Sequence, residues 1–300
     1  MQLMNTCSPR DNFITAQDGL RLHVREWGPR TSSALPVLCL PGLARTTADF
    51  EALAQALATN GQAGRRVLAL DSRGRGKSDY DVNAANYTLA VELADLLAVL
   101  TATGIAKAVF VGTSRGGILT MLLGPARPTA IAGCVLNDIG PVIEPTGLAR
   151  IKGYVGKLPP PPSFAAAAEN LVRLFGNQFP KLTARDWLAF AHRTFKQAGE
   201  RIVADYDPQL ATILAQVDVE QPLPPLWKEF DSLAGVPMLV IRGSNSDILS
   251  SATVAVMRER RAALEVVEVP DQGHAPLLAE PETIQRIADF IQACDAREEW

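Results

Sequence analysis

The residues whose types and spacing could do chemistry lie in Gly112-Thr113-Ser114-Arg115-Gly116. The apolar, β-branched run Val109-Phe110-Val111 leads in, and the helical apolar pattern Ile118-Leu119-Thr120-Met121-Leu122-Leu123 leads out. A Gly-x-Ser-x-Gly turn between a strand and a helix presents its serine hydroxyl at the apex. The glycines let strand and helix approach closely around strained backbone. The helix N-terminus beneath the hydroxyl favours developing negative charge. A glycine-rich turn with an incidental serine has the same local pattern, so the rest of the chain must decide between them.

A serine hydroxyl is a poor nucleophile unless a base takes its proton as it attacks. Histidine suits that task near neutral pH, and it needs a carboxylate to fix its tautomer and stabilise the imidazolium. With a serine turn of this type the chain order is serine, acid, histidine. Of the chain's three histidines, His23 precedes the serine and His192 precedes the candidate acid, which leaves His274 as the base. Asp247 follows a strand end and precedes His274, and is taken as the acid; Asp138, at the end of an earlier strand, is the alternative. Asp271 is too close to His274 in sequence to orient it. The oxyanion formed by attack needs backbone N–H donors. The amide of Arg115, directly after the serine, is one; the amide of Leu43, in the turn that Gly42 permits after the apolar run 36–40, is the other.

These residues must be positioned by a regular scaffold. Apolar runs at 36–40, 67–70, 109–111, 131–136, 236–241 and 264–269, with the alternating stretch 20–28, predict strands. Amphipathic stretches such as 87–103, 251–261 and 281–293 predict helices between them. The alternation predicts an α/β chain with a mostly parallel central sheet flanked by helices. Every polar motif named above falls at the carboxyl end of a strand, where such sheets place their sites. From 142 to 232 the rhythm breaks into helix-like segments, at 165–175 and 184–196, around a stiff Pro159-Pro160-Pro161-Pro162, with no strand. Ten of the 18 aromatic residues fall in this stretch, which suits a helical cap with an apolar underside as well as a core of its own. The implied organisation is a core formed by residues 1–141 and 233–300, with the cap at 142–232. His192 reads as structural within that cap, and His23, on the polar phase of its strand, as a surface or edge-strand histidine. The basic glycine-rich stretch from Asp71 to Asp79 lacks phosphate-loop spacing and reads as a turn held by Asp71 and Arg73.

With 300 residues, 47% of them hydrophobic, the chain can bury a large core. A net charge of −3, with acids and bases interspersed, leaves no electrostatic footprint for nucleic acid or a membrane surface. No apolar run approaches bilayer-spanning length, and the mostly polar first twelve residues carry no signal-peptide pattern, so the cytoplasm is the expected location. Cys7, Cys39, Cys134 and Cys294 are scattered and read as free thiols. No histidine or cysteine spacing suggests a metal site.

Four motifs together resemble the α/β-hydrolase fold superfamily, in its capped, single-chain subgroup. They are Leu40-Pro41-Gly42-Leu43, Asp71-Ser72-Arg73-Gly74-Arg75-Gly76-Lys77-Ser78, Gly112-Thr113-Ser114-Arg115-Gly116-Gly117, and Gly273-His274 with Glu280-Pro281 after it. The resemblance runs over about residues 18–295, the cap being similar only in kind. It implies an α/β-hydrolase fold with a helical cap inserted between strands. It also implies a serine hydrolase of carboxylic esters that works through an acyl-enzyme and needs no cofactor. The aromatic-rich cap implies apolar acyl or alcohol groups, on a small-molecule ester or a flexible ester chain. Serine at the nucleophile position departs from the dehalogenases and epoxide hydrolases of the superfamily, which use aspartate there. Pro41-Gly42 replaces the usual His-Gly, which leaves a backbone donor unaffected. Ala275 follows His274 where carbon–carbon bond hydrolases often carry Trp. A lactonase, a carbon–carbon hydrolase and a cofactor-free haloperoxidase are the rival chemistries; a non-catalytic small-molecule binding protein of this fold is the rival class. On the enzymatic reading, Ser114→Ala should keep the fold and lower ester hydrolysis by roughly 10⁴- to 10⁶-fold. An organophosphate should label Ser114 alone, and labelling elsewhere with activity intact in the alanine variant would overturn the assignment.

Overall fold

The protein is described by a computed structural model covering residues 8–59, 64–218 and 221–298. Its strands, in chain order, are β1 (Arg10–Thr15), β2 (Arg21–Trp27), β3 (Val37–Leu40), β4 (Val67–Leu70), β5 (Ala108–Thr113), β6 (Ile131–Asn137), β7 (Phe195–Ala198), β8 (Arg201–Ala204), β9 (Met238–Gly243) and β10 (Glu265–Val269). Its helices are α1 (Glu51–Thr59), α2 (Leu89–Ala102), α3 (Arg115–Ala126), α4 (Pro145–Tyr154), α5 (Phe164–Phe175), α6 (Ala184–Thr194), α7 (Ala211–Ala215), α8 (Trp227–Asp231), α9 (Ser251–Arg260) and α10 (Pro281–Glu298). Eight strands form one sheet in the order β1-β2-β4-β3-β5-β6-β9-β10. From β4 to β10 all neighbours are parallel; β1 with β2 and β2 with β4 are antiparallel.

The period of two in a strand sorts its side chains into two cores. Leu38, Leu40, Leu68, Leu70, Phe110 and Leu136 face one side and pack with α2, α3 and α9 through Leu96, Leu119 and Met257. Val37, Cys39, Val67, Ala69, Val109 and Val111 face the other and pack with α1 and α10 through Leu57, Ile287 and Phe290. Because both faces are covered, β3, β4, β6 and β9 are buried at every residue and read as unbroken runs rather than alternations. This is the fold that the motifs imply, with helices on both faces of a largely parallel sheet.

Two sequence expectations change. β1 lies in a polar stretch with no apolar pattern and is held by its pairing with β2, from Arg10 opposite Glu26 to Thr15 opposite Arg21. It supplies Asp11, and this alters the reading of His23. The ring is not on the surface but only 1% exposed, with Nδ1 at 2.7 Å from Asp71 Oδ2 and Nε2 at 2.9 Å from Asp11 Oδ1. The second change lies between β6 and β9, where no strand was expected. β7 and β8 form a two-stranded ribbon turning at Gly199, whose φ of +60° suits glycine. The helix expected over 184–196 therefore stops at Thr194, and Phe195 opens the ribbon. Four-residue strands with sequences Phe-Lys-Gln-Ala and Arg-Ile-Val-Ala are too short and too polar to show a period of two.

The Asp71–Asp79 stretch is the turn that its sequence suggests. Asp71 accepts from the amides of Thr47 (2.7 Å) and Lys77 (3.1 Å). Arg73, 1% exposed, donates to Asp95, Asp81 and Asp18 at 2.6–2.8 Å. The same turn ties down the insertion: Asp207 N–H donates to Gly74 O at 2.7 Å and Gly76 N–H to Asp205 O at 2.9 Å. Cys39, Cys134 and Cys294 are free and buried, while Cys7 and the start of the N-terminal stretch lie outside the described residues. Burial pushes the Cys134 thiol up to about 12.

Strand and helix meet where the chain leaves β5. A Cβ on Gly116 would lie 2.0 Å from the backbone oxygen of Leu40, and one on Gly112 would lie 2.6 Å from the Gly116 carbonyl. Gly116→Ala should therefore lower stability by about 2–3 kcal/mol through overpacking against backbone that cannot rotate away. Gly153→Ala, in α4 where a Cβ meets nothing within 4 Å, should be neutral or stabilising. Urea unfolding of the two variants checks this; equal midpoints would show that the α3–β3 approach is not tight.

Candidate active site

Ser114 stands between β5 and α3 with φ 51° and ψ −115°, a left-handed conformation that a serine adopts only when its surroundings impose it. Its N–H donates to Asn137 O at 3.0 Å, and its carbonyl accepts from Gly117 and Ile118, the first turn of α3. The hydroxyl is thus held at the carboxyl ends of β5 and β6. His274, from the loop after β10, reaches the same point: its Nε2 lies 2.8 Å from Ser114 Oγ. The ring is 7% exposed.

The other ring nitrogen corrects the assignment of the acid. His274 Nδ1 lies 2.8 Å from Asp138 Oδ2, not against Asp247. Asp138 directly follows β6, has φ 55° and is fully buried. Its Oδ1 accepts from Gly243 N–H at 2.8 Å, and its Oδ2 also accepts the Ser246 hydroxyl at 2.5 Å. Its carboxylate is therefore oriented from the end of β9 and the loop after it before it meets the histidine. Asp247 is turned instead towards the insertion, where Arg150 of α4 grips both of its oxygens at 2.6 and 2.8 Å. Burial opposes ionisation of Asp247, but the Arg150 guanidinium outweighs it and holds the carboxyl below its usual range. Asp247 is thus a bridge between core and insertion, and its backbone oxygen accepts from Gly147 N–H at 3.0 Å.

The expected oxyanion donors border this centre. Arg115 is the first residue of α3, so its N–H is among the helix-terminal donors without an intrahelical partner. Leu43 lines the same cavity as Ser114 and His274, next to Gly42. The rest of that cavity is largely apolar, with Tyr154, Leu158, Phe175, Phe179 and Phe190 contributed by the insertion. Its aromatic residues divide by position. Trp187 is buried against Phe190, ring centroids 5.9 Å apart and nearly parallel, and belongs to the insertion's own cluster. Phe175, Phe179 and Phe190 belong to that cluster and also line the cavity. His192 stacks on Phe164 at 4.0 Å, away from Ser114. Arg45 forms part of the cavity wall, bound to Asp49 at 2.5 and 2.7 Å and lying 4.7 Å over the Phe190 ring.

Two supporting residues carry no sequence signal. Asn137, fully buried, donates through Nδ2 to Thr113 Oγ1 and to Pro276 O, both at 3.0 Å, so it ties the serine strand to the histidine loop. Ser246 holds Asp138 and also accepts from the amides of Ile248 and Leu249. Among the described residues no group of histidine, cysteine, aspartate or glutamate side chains could hold a metal ion, and no helix is long and apolar enough to cross a membrane.

The hydrogen bonds set the expected ranking of the two acids. Asp138→Asn should lower kcat roughly 10³- to 10⁴-fold, because an amide facing Nδ1 favours the wrong histidine tautomer. Asp247→Asn, which weakens the grip of Arg150 and leaves the His274–Asp138 bond in place, should cost less than about 10-fold in kcat. Steady-state kinetics on one chromogenic ester decides it, and the reverse ranking would return the acid to the later strand.

Comparison with known proteins identifies the family to which this fold belongs. A family model described as the alpha/beta hydrolase family matches residues 37–286. The 3-hydroxybutyrate-oligomer hydrolase of Cupriavidus necator is 32% identical over 298 residues, covering 95% of this chain and 99% of that protein. The 2-(acetamidomethylene)succinate hydrolase of Mesorhizobium japonicum is 27% identical over 296 residues, covering 94% and 97%. The crystal structure of an alpha/beta hydrolase from Novosphingobium aromaticivorans superposes with a TM-score of 0.86 at 42% identity, covering 95% of this chain and 99% of that one. The family match begins at the first residue of β3 and runs into α10, spanning every strand end that brings a residue to Ser114; the chain belongs to the alpha/beta hydrolase family.

Proposed function

We propose that this hydrolase cleaves carboxylic esters through an acyl-enzyme on Ser114, with flexible hydroxyacid oligomers of apolar side group as its substrate class. The observation that carries the reading is the unbroken hydrogen-bond path from Ser114 Oγ through His274 to Asp138, both steps 2.8 Å, opening into an apolar cavity. His274 Nε2 takes the hydroxyl proton as Ser114 Oγ bonds to the ester carbonyl carbon. Asp138 accepts from Nδ1–H and stabilises the imidazolium. The carbonyl oxygen becomes an oxyanion facing the amides of Leu43 and Arg115, at the positive end of α3. The C–O bond to the alcohol then breaks, and the leaving oxygen takes the proton from His274. Water, deprotonated by the same nitrogen, attacks the acyl-enzyme and releases the acid and free Ser114. No step calls for a cofactor.

The substrate class rests on two supports. The lining from the insertion is aromatic and aliphatic, and suits a chain whose repeating units bear small apolar groups. The Cupriavidus relative, matched over nearly its whole length, is named for oligomers of 3-hydroxybutyrate. In this reading residues 142–232 act as a cap over the core formed by residues 1–141 and 233–300, and the work is done in the cytoplasm.

The test compares kcat/KM for linear 3-hydroxybutyrate dimers and trimers, p-nitrophenyl acetate, butyrate and octanoate, a lactone and a thioester. Linear hydroxyacid esters should lead, and a lactone or thioester leading by more than about 10-fold would overturn the substrate class. Phe190→Ala, which trims the cavity wall, should change the butyrate-to-octanoate ratio several-fold, since each methylene buried there contributes about 0.8 kcal/mol. If that ratio stays at the wild-type value in the folded variant, the cap does not select the substrate.

A further inference from the structure

An oxyanion site made of backbone amides is aimed by whatever holds the residues that carry those amides. Each peptide plane has to be held by whatever binds the adjoining backbone. Here the two amides come from separate places, the loop after β3 and the first residue of α3. Both places are tied to one buried carboxylate.

Glu92 sits in the first turn of α2, where Thr88 caps the helix through the Val91 amide, and its side chain is 1% exposed. One of its oxygens accepts from Arg75 Nη1 at 2.8 Å, the other from Arg115 Nε at 2.6 Å. Arg75, also 1% exposed, donates through Nε to Leu43 O at 2.7 Å and through Nη1 to Arg73 O at 2.6 Å. Arg115 donates through Nη2 to Tyr87 O at 3.2 Å. A continuous chain of charge-assisted bonds therefore runs from the Leu43 carbonyl through Arg75 and Glu92 to the side chain of Arg115. Such bonds are short and directional, and a planar guanidinium transmits orientation from one partner to the next. The Leu43 carbonyl is one Cα removed from the Leu43 amide, so anchoring it limits rotation of the peptide that must donate.

Two further features mark this cluster. Two guanidiniums share a single carboxylate, so the three side chains together carry an excess of positive charge. Arg75 Nη2 is buried and has no hydrogen-bond partner among the described residues. Burial opposes ionisation of Glu92, but Arg75 and Arg115 outweigh it and hold its carboxyl below the usual range, so the bridge stays charged. The turn carrying Arg75 also bridges to Tyr206, which lines the cavity.

We propose that Glu92 is a positioning residue of the oxyanion site: its buried carboxylate locks Arg75, which holds the Leu43 loop, to Arg115, whose amide opens α3. The proposal rests on the serine-hydrolase reading above. It separates Glu92 from residues that only stabilise the fold, because its loss acts on the charged tetrahedral state and not on ground-state binding.

The experiment uses Glu92→Gln and Arg75→Lys in the full chain, with folding checked by circular dichroism and thermal melting. Arg75→Lys keeps the charge opposite Glu92 but lacks the Nε–H that holds Leu43 O, so it tests the same link if the glutamine variant fails to fold. Two inhibitors of equal alkyl length are compared. A trifluoromethyl ketone adds to Ser114 Oγ and puts negative charge on its oxygen; the matching secondary alcohol occupies the cavity without forming an anion. Each folded variant should lose roughly 10- to 100-fold in kcat with KM within about two-fold of wild type. The ketone should weaken by the same factor while the alcohol keeps its inhibition constant. Unchanged kcat, or equal weakening of ketone and alcohol, would overturn the positioning role. Failure of a fluorophosphonate to label Ser114 in the wild-type protein would instead overturn the serine reading, and this proposal with it.

Discussion

No side chain fits between the start of α3 and the end of β3, because Gly116 lies directly against the carbonyl of Leu40. β3 and β5 are neighbours, with Leu40 opposite Gly112, so a helix leaving β5 at this distance must cross the end of β3. Ser114 is the residue that absorbs the change of direction, and its positive φ is the consequence. The same approach sets the first turn of α3, which Arg115 opens, against the end of β3, from which the Leu43 loop leaves. A strained serine, a helix terminus and a glycine-containing loop are thus one geometric solution rather than three features. The strain is sustained by the burial of both elements in a shared core.

Around this contact the protein places buried charge in the loops that follow strands and in the first turn of α2. Arg73 is surrounded by three aspartates, Asp138 by three donors, and Glu92 by two arginines. Buried ion pairs add little net stability compared with apolar packing of the same volume, because desolvation offsets most of their attraction. What they supply is direction. A carboxylate with every lone pair engaged has one orientation, and a loop fastened to it has few. The turn after β4 shows this best: it holds α2 through Asp95 and Glu92, the β3 loop through Leu43 and the insertion through Asp205 and Asp207.

The insertion between β6 and β9 combines two demands on one set of aromatic rings. Phe175, Phe179 and Phe190 pack with Trp187 into a cluster of edge-on and stacked pairs, and their other faces line the cavity. A separate interior and a separate binding surface would need more chain. The Arg150–Asp247 pair fastens this layer to the loop after β9.

Local order was legible in the chain itself. Continuous apolar runs marked the strands buried on both faces, the serine turn marked Ser114, and chain order singled out His274 as its partner. These signals are short-range, because strand burial, helix periodicity and turn chemistry are written in adjacent residues. The tertiary structure decided what depends on a distant partner. Asp138 and Asp247 both follow strands that end beside one another, and nothing nearby in sequence separates them. Arg150, far away in the insertion, claims Asp247, while Gly243 and Ser246 orient Asp138. β1 has no apolar pattern and exists because β2 offers it an edge, and only then does Asp11 reach and cover His23. Phe190 and Trp187 share one helix and one kind of spacing, yet only Phe190 reaches the cavity, because helical phase says which residues are buried and not against what.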